Sequence, residues 1–197
     1  MLSSAVVAIV LATLPAPSPA PAPGRLVERV LAVVDTRPVL LSEMRAAQLV
    51  RGEEPGPVLE SLIDELLMFA EASRLPQAAI TEEQEDRALA ALLAQHPDAT
   101  DTEALRRMAR RQATILAYVD FRFRPQVRIT PEALQAALLA RGREDVAGDA
   151  TESAESRAGR EAETRRILEA EDLDRRIESW VADLRKAAEV RYNAPER

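Results

Sequence analysis

The sequence predicts a mainly α fold closed by a small β-sheet, and three observations carry that prediction. The first is Leu26 to Met44, LVERVLAVVDTRPVLLSEM, which holds the clearest strand pattern in the chain. Val27, Val30, Ala32, Val33 and Val34 form a β-branched, nearly continuous apolar run, as expected of a strand buried on both faces. Asp35 to Pro38 interrupts it with turn chemistry, and Val39 to Leu41 resumes it as a second strand. The second observation is the sequence EVRYN, Glu189 to Asn193, a strand candidate near the opposite end. Strand backbone groups need partners, so the two ends of the chain are expected to meet. The third is that apolar residues between these ends recur at helical steps, punctuated by proline and glycine, which makes the intervening chain a helical excursion.

The totals agree with that class and exclude others. The chain has 197 residues, 47% of them apolar and 30% charged, which suits a globular protein of amphipathic helices. Aromatics are 3%, so the core has to be built from Leu, Ile, Val and Ala. A net charge of −7 argues against a nucleic-acid partner, which needs a basic surface. The absence of cysteine excludes disulfides, thiol catalysis and cysteine-ligated zinc. The single histidine, His96, precedes Pro97 and is expected in an exposed loop.

Residues 1–22 contain no charged side chain, and Ala5 to Leu14 is an apolar run of signal-peptide length, too short to span a bilayer. Small residues at Ser18-Pro19-Ala20 and Ala20-Pro21-Ala22 place an expected cleavage near Ala20 or Ala22. An uncleaved anchor or a mis-assigned start are the competing readings. Export would make the protein periplasmic, with no stable membrane insertion once the signal is removed.

Helices follow in order. Ser42 and Glu43 fit an N-cap and first acidic residue of a short helix to about Val50. Pro57 fits the first turn of a second, to about Arg74, with Leu59, Leu62, Ile63, Leu66, Leu67 and Ala70 on one face. Thr81-Glu82-Glu83-Gln84 is a capping-box pattern for a third, to about Gln95. Thr100-Asp101-Thr102-Glu103 offers a similar start for a fourth, with Leu105, Met108, Gln112, Ile115 and Val119 in a stripe that ends near Arg124-Pro125. Thr130-Pro131 opens a fifth, to about Arg141. Residues 142–159 hold three of the six glycines and one large apolar residue, Val146, so they are expected to form a flexible linker. A last helix from about Arg160 to Ala188 is charged in its first half, which is expected to project into solvent or pack loosely. Leu173, Ile177, Trp180, Val181 and Leu184 lie on one face of its second half. Trp180 is expected to anchor a core. The organisation is therefore a leader at 1–22, a helical module at 25–141, a linker at 142–159, and a helix and strand at 160–193 that complete the same module.

No catalytic motif stands out. There is no glycine-rich phosphate loop, no H-x-x-x-H, no D-x-D-x-D-G and no G-x-S-x-G, and no cofactor or metal is implied. The carboxylates fall mostly on helix faces and in first turns, where solvation and the helix dipole account for them. The arginine pairs Arg106-Arg107, Arg110-Arg111, Arg165-Arg166 and Arg175-Arg176 have acids nearby and are expected on salt-bridged solvent faces.

Val30-Leu31-Ala32-Val33-Val34-Asp35, a short turn, and Val39-Leu40-Leu41-Ser42-Glu43-Met44 together resemble the opening of the SurA-like periplasmic chaperones. Leu62-Ile63-Asp64-Glu65-Leu66-Leu67, Glu71-Ala72 and Ile80-Thr81-Glu82-Glu83-Gln84 are similar to that family's second and third helices. Val127-Arg128-Ile129-Thr130-Pro131-Glu132 continues the likeness, and Ile177-Glu178-Ser179-Trp180-Val181, Leu184-Arg185 and Val190-Arg191-Tyr192 resemble its C-terminal helix and last strand. The chain departs from the family pattern in two places. Relatives usually carry one or two parvulin-type prolyl isomerase domains where this chain has only residues 142–159, too few for such a domain. Relatives often have glycine after the second helix, where this chain has Leu75-Pro76.

The resemblance implies an ATP-independent periplasmic holdase for unfolded or extended outer-membrane-protein segments, without an isomerase domain and not an enzyme. Its groove would lie between the N-terminal helices and the C-terminal helix. Met44, Met68, Phe69, Tyr118, Phe121 and Phe123 are the candidate contact residues, because methionine adapts its shape and aromatics supply contact area. Each of them could equally be ordinary core. Two other readings stay open: an assembly factor that binds one specific envelope protein, and a residual prolyl isomerase.

Overall fold

The structure, a computed structural model, describes residues 28–100, 102–144 and 154–193. The expected leader and the middle of the expected linker, residues 145–153, lie outside that range. The fold is mainly α with a small three-stranded antiparallel sheet, as the sequence predicts. In order, β1 is Val30–Val34, β2 Arg37–Leu40, α1 Leu41–Arg51, α2 Pro55–Ala72, α3 Glu82–Gln95, α4 Glu103–Arg122, α5 Pro131–Glu144, α6 Ala154–Ala187 and β3 Val190–Tyr192. Short 3₁₀ turns at Pro76–Ala78 and Arg124–Gln126 link α2 to α3 and α4 to α5.

The sheet order is β2-β1-β3, so the two ends of the described chain meet on either side of β1. Asp35 makes this junction. It sits at φ 54°, a left-handed conformation that aspartate tolerates better than most residues, and turns β1 into β2. Its amide then donates to the Glu189 carbonyl at 2.8 Å, and its carboxylate accepts from the Glu189 amide at 2.9 Å. Pro38 is accommodated because β2 is an edge strand, where a missing donor costs little.

Burial along β1 alternates. Ala32 and Val34 are buried, whereas Val30, Leu31 and Val33 are half-buried. The expectation of a strand covered on both faces is therefore corrected: helices pack on one face of the sheet. A continuous apolar run does not distinguish these cases, since half-buried valines still favour a strand.

Local signals place most helix ends. Thr81 accepts from the Gln84 amide at 3.3 Å while Gln84 reaches back to the Thr81 amide at 2.8 Å, the reciprocal capping box. Thr102 accepts from Leu105 at 3.3 Å. Gly52, at φ 67°, closes α1 by donating to Gln48 at 2.8 Å. By contrast, α2 closes at Ser73 in a right-handed conformation and then meets Leu75-Pro76, so no left-handed cap is needed at that corner. The N-cap of α1 is Leu40, not Ser42: Glu43 reaches back to accept the Leu40 amide at 3.1 Å, which starts the helix earlier. His96 is the half-buried C-cap of α3, not an exposed loop residue.

One further correction concerns the end of the chain. The expected linker is helical at both described margins, through Glu144 in α5 and from Ala154 in α6. The first half of α6 takes the second of its two expectations, loose packing: residues 155–163 are exposed and Thr164 is buried. It packs along α5, burying Leu134 and Thr164 between the two helices. With 34 residues, α6 is about 51 Å long at about 1.5 Å per residue. That length lets one helix pair with α5 at its start and dock on α2 near its end.

Two apolar clusters result. The larger joins Ala32, Val34 and Val39 of the sheet to Ala47, Leu62, Ile63, Leu89, Leu105 and Met108 of the helices. The smaller joins Ala72, Ala78, Ile115, Tyr118, Val119 and Phe123, with Met68, Phe69, Leu173, Ile177 and Trp180 packed against it.

Candidate functional site

Between the two clusters, α2, α4 and α6 leave an open groove of about 840 Å³. Its apolar lining is Met68 from α2, Ile115 and Leu116 from α4, and Ile177, Val181 and Ala182 from α6. Leu116 is 61% exposed, large for a leucine, and faces this space. Helical spacing explains the assembly. Ile177 and Val181 are one turn apart on the same face of α6, and Met68 lies one turn beyond Asp64 on α2. Ser61, Asp64, Glu65, Gln112, Glu178, Arg51 and Arg185 complete the lining.

Two charged networks fix the walls. The first is buried. Arg111 is 5% exposed and donates from Nη1 to Glu43 Oε1 at 2.7 Å and from Nε to Glu65 Oε1 at 2.8 Å. Arg51 donates to Glu65 Oε2 at 2.8 Å, and Arg107 donates to Glu43 Oε1 at 3.3 Å. With the Leu40 amide on the other Glu43 oxygen, the network joins the end of β2, α1, α2 and α4 through two carboxylates and three guanidiniums. Burial opposes the Arg111 charge, but Glu65 and Glu43 outweigh it and hold the guanidinium more firmly protonated than usual. Arg51 and Glu65 are also groove residues, so this network ends at the groove wall.

The second network holds α6 against α2. Arg185 donates to Glu60 Oε2 at 2.8 Å, to the Glu60 carbonyl at 3.0 Å, and to Asp64. Tyr192 of β3 donates its hydroxyl to Glu60 Oε1 at 2.8 Å. The Arg185 bond, despite some desolvation, lowers the Glu60 pKa, and the hydroxyl bond to Glu60 raises that of Tyr192.

Of the six candidate contact residues, only Met68 lines the groove. Tyr118 and Phe123 are buried, with Tyr118 stacked on Trp180 at 4.8 Å between centroids and 16° between planes. Phe123 closes the same cluster at 5.4 Å from Trp180. Trp180 is thus an anchor, as expected. Phe69 packs on this cluster with the Arg37 guanidinium 5.6 Å from its ring centre, and Met44 packs on the larger core. Phe121 is 53% exposed but does not line the groove. Sequence reasoning missed Leu116, Ile177 and Val181 as groove residues. It also placed the Arg110-Arg111 pair on a solvent face, whereas Arg111 is buried. A signal existed: Arg111 falls one residue before Gln112 and three after Met108, inside the apolar stripe of α4.

Among the described residues no cluster of histidine, aspartate or glutamate could hold a metal ion, and no helix is long and apolar enough to cross a membrane. What the groove offers chemically is an apolar surface together with hydrogen-bonding and charged side chains. No family model matches the chain, and no curated protein matches it.

Proposed function

We propose that the protein is an ATP-independent periplasmic chaperone of the SurA-like kind, a holdase that shields apolar segments of unfolded outer-membrane proteins and has no isomerase domain of its own. The observation that carries this reading is the open groove between α2, α4 and α6, with Leu116 exposed in it. An apolar surface of that kind, rimmed by polar groups, suits another chain better than water. It lies between N-terminal helices and the C-terminal helix, where this reading needs a groove. No step needs a nucleotide or a catalytic group, since burial of apolar surface alone supplies the attraction.

The test is aggregation of a denatured outer-membrane barrel protein on dilution, followed by light scattering with the purified protein present. Protection at stoichiometric ratio is expected. A Leu116→Asp variant should protect clearly less while keeping its helical circular dichroism, because Leu116 contributes little to the buried core. Absence of protection at stoichiometric excess overturns the reading. Capture of a single envelope protein at one-to-one ratio, with no protection of unfolded clients, would replace it with that of a specific assembly factor.

A further inference from the structure

The groove lining carries three carboxylates, Asp64, Glu65 and Glu178, against two guanidiniums, Arg51 and Arg185. Both guanidiniums are already engaged, Arg51 by Glu65 and Arg185 by Asp64 and Glu60. Glu65 is also engaged by Arg111. Glu178 differs: it is exposed, and among the described residues no hydrogen bond or ion pair reaches it. It sits next to Ile177, three residues before Val181, so its charge stands beside the apolar wall of α6. The Gln112 side chain, on the facing helix, is likewise without a hydrogen-bond partner among the described residues. Its amide offers both a donor and an acceptor, which is what the main chain of an extended polypeptide lacks when it leaves water.

We propose that Glu178 is a specificity-determining residue: the groove takes an extended apolar polypeptide segment that carries a lysine or arginine beside its apolar residues, and the cation pairs with Glu178. The inference rests on the chaperone reading above and deepens it. The groove's excess charge is negative and its cations are spent, so a segment with an acidic flank meets repulsion where a basic flank meets a free carboxylate. A volume of about 840 Å³ is in the range of sites that enclose a drug-sized ligand, which corresponds to a few side chains of an open-ended strand and not to a folded domain.

The test uses the full chain and three fluorescein-labelled decapeptides that share one Leu/Ile/Val run and differ in one flanking residue: lysine, serine or glutamate. Binding is read by fluorescence anisotropy. The lysine peptide should bind about two- to fivefold more tightly than the serine peptide, the range of an exposed ion pair, and the glutamate peptide most weakly. Raising salt to about 0.5 M should erase the order. Glu178→Gln should bring the three peptides to parity, and Glu178→Lys should invert them; the site is exposed, so neither variant disturbs the core. A wild-type protein that binds all three equally, or a Glu178→Gln variant that keeps the preference, overturns the inference and leaves the chaperone reading intact. Failure to bind any of the peptides, with aggregation protection retained, overturns the groove as the site. Failure of both binding and protection overturns the chaperone reading itself.

Discussion

Around Leu62, Ile63, Leu105 and Met108 the apolar core encloses an ion network in which Arg111 and both its carboxylate partners are almost fully buried. Around Tyr118, Phe123 and Trp180 the packing is aromatic, and the ion pairs nearby, such as Arg176 with Asp172, are partly exposed. The difference matters for the groove between them. A buried guanidinium shared by two carboxylates tolerates few arrangements, because any displacement strands a charge in low dielectric. Stacked rings on a half-buried tryptophan make no such demand. One wall, made by α2 and α4, is therefore tied into the core by buried charge, whereas the α6 wall is held by rings, by half-buried apolar contacts such as Leu184 on the larger core, and by a partly exposed arginine. On the chaperone reading proposed above, a wall that shifts would admit segments of different size.

Removing the buried charge should break the first region most severely. Arg111→Ala leaves Glu43 with Arg107 at 3.3 Å and Glu65 with Arg51 as their remaining ion partners. A loss of about 3 kcal/mol is expected, the lower end of the range for halving a buried pair, and urea denaturation measures it. A loss below about 1 kcal/mol would mean that the network is solvated and that the contrast between the regions is false.

Trp180→Ala addresses the second region. A fully buried tryptophan costs about 3–5 kcal/mol on truncation, and half burial of Trp180 reduces that to about 2 kcal/mol. The location of the loss is more informative than its size. Amide exchange should accelerate in α6 and β3 while the protected amides of α2 and α4 keep their rates. Uniform acceleration through all four elements would show that the two regions unfold as one, and that the α6 wall has no independence.

The helices were legible because their signals are local. Thr81 with Gln84, Thr102, and Gly52 act within one turn of where they stand in the sequence. The pairing of β3 with β1 was legible for another reason: strand backbone cannot remain unpaired, and EVRYN was the available partner. The site was less legible. Side-chain chemistry points to methionine and aromatic residues, yet Tyr118 and Phe123 face inward and the groove is lined by Leu116, Ile177 and Val181. Residue type does not say which side of an apolar stripe stays uncovered, since that depends on where a neighbouring helix stops. Adjacency to Arg110 suggests a surface pair for Arg111, although consecutive helical positions point about 100° apart. Glu43 and Glu65, its partners, lie 68 and 46 residues away, and nothing local announces them.

The smallest effect concerns the Arg185, Glu60 and Tyr192 contacts that close α6 and β3 onto α2. Folding lowers the Glu60 pKa below its ordinary 4.5, so its contribution is fully present above that value and is lost as pH falls through the lowered one. Folding raises the Tyr192 pKa above its ordinary 10.0, so its contribution is present below that value and is lost as pH rises through the raised one. The seam should therefore be tightest between these limits and loosen at both. With side chains of Glu60 and Arg185 46% and 36% exposed, solvent screens the pair and the change should stay below about 1 kcal/mol. Amide exchange of β3 against pH reads it without interference from the buried network. Tyr192→Phe should abolish the alkaline limb and reduce the acidic one, which Arg185 still supports; Glu60→Gln should abolish the acidic limb, because an amide does not titrate, and weaken the alkaline one, because the amide oxygen is a poorer acceptor for the phenol. If Tyr192→Phe leaves the alkaline limb unchanged, β3 is held by its backbone pairing with β1 alone, and the adjustable wall reduces to the aromatic stack and Arg185.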